Sequence, residues 1–173
     1  MDASKSPFLQ ALKGKTLARK DKTTIEGAKL LESKEFIVVY IGASFLSGVG
    51  KRNVENLKNF YEARKGEGVE VIYLSQDNNN KDFEKHIQEA QPNWLAVPPN
   101  TKENDELMKA LENPSKPHVI AFNKIGIMCR RTTGTKDLDS KGILEKWRNK
   151  KENSPKKSNQ VPSQESKDSE EKP

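Results

Sequence analysis

The sequence predicts an α/β domain: a central mixed sheet with helices on both faces, an N-terminal hairpin ahead of it and a charged tail behind. Three observations predict it. Phe36 to Ile41 is a continuously apolar run of strand length, the pattern of a strand covered on both faces, and Val69 to Leu74 is the next strand. Between them, roughly Arg52 to Lys65 has Val54, Leu57 and Tyr61 one helical turn apart. Strand, helix and strand then form a crossover that should be right-handed. Later, His118 to Phe122 and Ile125 to Cys129 are apolar runs joined by Asn123 and Lys124, which reads as an antiparallel hairpin.

The remaining elements follow in order. Thr16-Leu17-Ala18 and Thr23-Thr24-Ile25, separated by four charged residues, read as a small hairpin. Gly27 to Lys34 suits a short helical turn. Gly66 and Gly68 end the first long helix, and Asn78-Asn79-Asn80 is a loop. Lys81 to Ala90 is expected to be helical with Phe83, Ile87 and Ala90 inward, stopped by Pro92. Trp94 to Val97 is a short apolar segment ended by Pro98-Pro99, with Trp94 read as core. Leu107, Met108 and Leu111 mark another helix. Ser140 is placed to cap a last one carrying Ile143, Leu144 and Trp147.

With 173 residues, the chain fits one domain and a tail. From Lys150 onward Val161 is the one aliphatic residue, and the segment cannot offset an ordering cost of ~1–2 kcal/mol per residue, so disorder is expected. Charges in that tail nearly balance, so the net charge of +6 belongs to the domain. Basic residues are interleaved with acidic ones, without an Arg-rich helix or zinc spacing. Solvated surface is the simplest account; a basic nucleic-acid or assembly subunit is an alternative. No apolar run approaches the ~20 residues of a membrane span. One cysteine, Cys129, excludes an intramolecular disulfide and favours a reducing compartment, cytosol or nucleus. His86 and His118 are isolated, so neither a metal nor another cofactor is expected.

Gly42 to Gly50 links the first long strand to its helix, where unpaired N–H groups and the helix dipole favour an anion. Gly50-Lys51 suggests a phosphate-binding loop, but that pattern needs Gly at position 45 and Ser or Thr at position 52. These are Phe45 and Arg52.

Several strings in order resemble the tryparedoxin/nucleoredoxin branch of the thioredoxin-like superfamily. They are Gly42-Ala43-Ser44-Phe45, Phe60-Tyr61, Ser75-Gln76-Asp77 with Phe83, Trp94-Leu95-Ala96-Val97-Pro98, and Ser115-Lys116-Pro117 before a strand. The likeness runs from about Leu12 to Leu138. It implies a thioredoxin-like domain over residues 12–149, an N-terminal extension over 1–11 and the tail over 150–173. It also implies protein-disulfide oxidoreductase chemistry, with a cis bond before Pro117. Yet the two active-site cysteines are replaced within Phe45, Leu46, Ser47, Gly48 and Val49, or, with one extra residue, between Leu46 and Gly50. Exchange needs a thiolate and a resolving sulfur. Ser47 has no neighbouring base in sequence. The reading is a redox-inactive protein-binding or scaffold module, leaning away from an enzyme. Its surface would be the former active-site loop with Lys116 and Pro117 as the peptide-binding turn. A residual thiol or glutathione-linked activity at Cys129 is the alternative.

Overall fold

In the computed structural model, residues 1–152 are described, and the expectation for the tail falls almost wholly on residues 153–173, outside them. Seven strands, β1 (Thr16–Arg19), β2 (Thr24–Glu26), β3 (Phe36–Gly42), β4 (Val69–Ser75), β5 (Leu95–Val97), β6 (His118–Phe122) and β7 (Met128–Thr132), form one sheet in the order β2-β1-β5-β4-β3-β6-β7. At its centre β3 (Phe36–Gly42) and β4 (Val69–Ser75) run parallel, residue for residue from Phe36 opposite Val69 to Gly42 opposite Ser75. Both are buried throughout, as a strand covered on both faces requires. The lone charge in β4, Glu70, is neutralised in place. Arg19 of β1 (Thr16–Arg19) donates two hydrogen bonds to its carboxylate, at 2.7 and 3.3 Å.

The small hairpin forms as expected: β1 pairs antiparallel with β2 (Thr24–Glu26), Leu17 opposite Ile25. Asp21 closes its turn by accepting from the Thr23 N–H and hydroxyl. The apolar segment after Trp94 is β5 (Leu95–Val97), parallel to β4 and antiparallel to β1. Trp94 is core: its ring meets Tyr61 edge-on at 5.7 Å and its indole N–H donates to Gln91 Oε1 at 2.8 Å.

Helices cover both faces. One carries α1 (Pro7–Lys13), α2 (Gly27–Ser33) and α5 (Lys102–Ala110); the other carries α3 (Val49–Arg64), α4 (Asn80–Ala90) and α6 (Ile143–Arg148). Alternate residues of β3 divide between the two cores, with Phe36, Val38 and Tyr40 on the α3 side and Ile37, Val39 and Ile41 on the other. No helix among the described residues is long and apolar enough to cross a membrane.

Several boundaries differ from the sequence reading. Residues 1–11 are not external to the domain: Phe8 and Leu9 are fully buried, and Phe8 stacks on Phe122 at 5.3 Å. Ser6 caps and Pro7 starts the helix that carries Phe8, Leu9 and Leu12 into the core. Helix α3 begins at Val49, three residues early, because Gly48 adopts φ 65° and turns the chain into it. In the last hairpin, β6 (His118–Phe122) pairs with β7 at Met128–Thr132, not 125–129. Asn123 holds a longer turn, accepting from the Ile127 N–H and donating to the carbonyls of Trp147 and Lys150. Ala90 is exposed. Ser140 caps α6 with its backbone carbonyl rather than its hydroxyl, and Gly142 is the N-cap.

Candidate functional site

The site grows from the C-terminal ends of β3 and β4. Asp77, just past β4 and 3% exposed, holds the first loop. Its Oδ1 accepts from the Ser44 N–H at 2.7 Å and the Ser44 hydroxyl at 2.6 Å, and its Oδ2 accepts from the Ser75 hydroxyl at 2.9 Å. The Gln76 N–H donates to the Gly42 carbonyl, continuing the parallel ladder by one residue. Asn104 of α5, buried, donates to the carbonyls of Ser75 and Pro98 and accepts from Gln76 Nε2. Asp77 therefore holds the loop's base, and Asn104 of α5 braces the segment that carries Asp77. Gly42 is required there, since a Cβ would lie 2.6 Å from the buried Tyr40 hydroxyl oxygen.

Beyond Ser44 the loop tightens, with the Leu46 N–H donating to the Ala43 carbonyl and the Ser47 N–H to that of Phe45. Gly48 then starts α3 without a side-chain cap, and no acidic residue stands in the first turn. Phe45 and Val49 are large apolar residues left 51% and 55% exposed. Leu46 instead turns inward over Gly50, where a Cβ would come within 2.5 Å of the Leu46 Cβ. Position 50 therefore lies against position 46, four residues apart, whereas a C-x-x-C pair is three residues apart. A disulfide separates its Cβ atoms by about 3.5–4.5 Å, more than this approach leaves.

The second loop arrives from β6. Its Lys116-Pro117 peptide bond is cis. Lys116 Nζ lies 5.3 Å above the Phe45 ring, so the two loops named from sequence touch through a cation–π contact. Behind the first loop, a groove of about 490 Å³ opens between α3 and the end of α4, bordered by Ala43, Leu46, Gly50, Val54 and His86. Burial against the Tyr73 ring holds His86 below its ordinary pKa, favouring the neutral imidazole. Sequence reasoning named the loops but missed Asn104 and the Lys116–Phe45 contact. A polar residue at a helix start, such as Asn104, carries no sign of which distant carbonyls it meets.

A thioredoxin-like family model matches residues 34–128, more than half of the chain. The chain belongs to the thioredoxin-like family. No curated protein matches it in sequence. Among solved structures it is similar to a thioredoxin from Wuchereria bancrofti, at 23% identity and a TM-score of 0.65, covering 78% of this chain and 92% of that one. Tryparedoxin from Trypanosoma brucei is similar at 22% identity and a TM-score of 0.62, with 78% and 92% covered. Tryparedoxin I from Crithidia fasciculata is similar at 24% identity and a TM-score of 0.58, with 72% and 85% covered. Identities this low speak for the fold alone.

In this thioredoxin-like domain the one thiol is not at the loop. Cys129 lies on β7, its Sγ donating to the Ala121 carbonyl at 3.4 Å. Ala121 pairs with Val38, four residues before Gly42 and about 13 Å down the strand from the loop. Burial pushes the Cys129 thiol up to about 12, away from the thiolate that exchange requires. His86 and His118 stay apart, and among the described residues no three His, Cys, Asp or Glu side chains gather as a metal site. The two loops meet through Phe45 and Lys116, and no sulfur stands where they meet.

Proposed function

We propose that this thioredoxin-like protein is a redox-inactive docking module that binds an extended peptide across its former active-site face. One observation carries the reading: the loop between β3 and α3 holds Leu46 against Gly50 and no sulfur, and leaves Phe45 and Val49 exposed beside Lys116 of the neighbouring turn. Without thiolate or resolving thiol, electrons have no path through the loop. What is left is an apolar surface next to a turn. Neither the N–H nor the carbonyl of Lys116 has a partner among the described residues, so both are open to strand-like pairing. The single half-buried thiol also suits a cytosolic or nuclear setting.

The test has two arms. In an insulin-disulfide reduction assay coupled to thioredoxin reductase, no turnover is expected; turnover that survives Cys129→Ser would refute inactivity. In a titration of isotope-labelled protein with an extended peptide, amide shifts should concentrate at residues 43–50 and 115–118 and vanish in Leu46→Glu. Shifts spread elsewhere would refute the docking face.

A further inference from the structure

Basic groups outnumber acidic ones around this face. Lys51 and Arg52 lie in the first turns of α3, and Lys116 stands over Phe45. Some basic residues elsewhere are ion-paired, as with Arg19–Glu70, Lys65–Glu62 and Arg148–Glu35. Among the described residues, none of Lys51, Arg52 and Lys116 has a carboxylate within 4.0 Å. The nearest acid in the fold of the loop, Asp77, is buried and occupied by Ser44 and Ser75. Glu55 lies one turn along α3 beside Lys51 and Arg52, and Glu89 borders the groove with Lys58, so four basic groups face two acidic ones here. The absence of acid from the first turn of α3 leaves the positive end of its dipole uncompensated on the same side.

Resting on the docking reading above, we infer that the occupant of this face is an acidic extended segment of a partner protein, with apolar side chains alternating with carboxylates. Phe45 and Val49 supply the apolar contact, and same-face side chains of an extended chain recur about every 6.6–6.8 Å. Lys51, Arg52 and Lys116 flank that contact and steer and orient the carboxylates. Residues 162–173 of this chain are acidic in part but contain no aliphatic or aromatic residue, so they offer Phe45 and Val49 nothing to bury. Nucleic acid is a poorer match, because a single exposed aromatic ring and the groove carboxylates do not make a stacking and phosphate track.

Fluorescence anisotropy on the full chain decides it, with three labelled peptides of about ten residues alternating valine with glutamate, serine or lysine. The glutamate peptide should bind at least about tenfold more tightly than the serine peptide, and the lysine peptide more weakly still. Raising salt from about 50 to about 300 mM should remove most of that preference. Lys116→Glu and, separately, the Lys51→Glu/Arg52→Glu pair should abolish or invert it, with unchanged circular dichroism and melting showing intact folds. Equal binding of the glutamate and serine peptides overturns the charge inference and leaves the docking face standing. Failure of all three peptides overturns both. Tighter binding of a single-stranded oligonucleotide than of the glutamate peptide, or glutamate-peptide binding seen only after removal of residues 153–173, overturns the assignment of the occupant.

Discussion

Reaction of the native protein with an aryl disulfide reagent measures how inert Cys129 is. Burial moves this thiol from its ordinary 9.0 to about 12. At neutral pH that lowers the thiolate fraction about a thousandfold. The more basic thiolate is also the better nucleophile, and a Brønsted slope of about 0.4–0.5 returns roughly twentyfold of the loss. The net slowing is roughly fiftyfold, before any shielding of the sulfur beside Ala121. Because the chain has one cysteine, the released aryl thiolate reports that site alone. The reference is the same protein in denaturant, where the thiol is free. A native rate within about threefold of the unfolded rate would refute the argument and revive Cys129 as a reactive group.

Three further outcomes follow from the packing and the buried groups. Phe8→Ala removes a fully buried ring stacked on Phe122 and should cost about 3–5 kcal/mol in denaturant unfolding; a loss under about 1 kcal/mol would restore residues 1–11 to the status of an extension. Asp77→Ala strips the acceptor from the Ser44 N–H and the Ser44 and Ser75 hydroxyls, for a loss of about 2–3 kcal/mol, and should speed hydrogen exchange at Ser44; unchanged exchange there would show that the loop is held by other means. At alkaline pH, Tyr40, Tyr73 and Cys129 are all kept neutral by burial, with Tyr40 raised from 10.0 to about 12. Raised folded-state pKa values mean that their contribution is complete below 9.0–10.0 and is lost as pH climbs toward the folded values. The slope approaches 1.4 kcal/mol per pH unit for each group at most, so the urea midpoint should fall steadily from about pH 9 to about pH 11. A flat midpoint over that range would contradict the burial.

The sequence by itself determined the sheet centre and the site's location. Strands with both faces covered are dominated by apolar residues, so Phe36 to Ile41 and, despite Glu70, Val69 to Leu74 were legible without knowledge of their neighbours. A missing sulfur is likewise a fact of composition: no fold can supply the thiol that positions 46–50 lack. Local chemistry also revealed the first hairpin, because Asp21 and Thr23 close its turn with near-neighbour hydrogen bonds.

The tertiary structure alone decided the questions that turn on partners distant in sequence. Which residue faces Leu46 depended on where α3 begins, which Gly48 settles through one positive φ. The burial of Phe8 depended on Phe122, and the end of the last hairpin on a turn braced by α6 through Asn123. The meeting of Lys116 with Phe45 required the β6 strand to lie antiparallel beside β3, with His118 opposite Ile41. Periodicity and propensity are read over a few neighbouring residues, whereas these contacts join segments tens of residues apart, and only the closed sheet brings them into range.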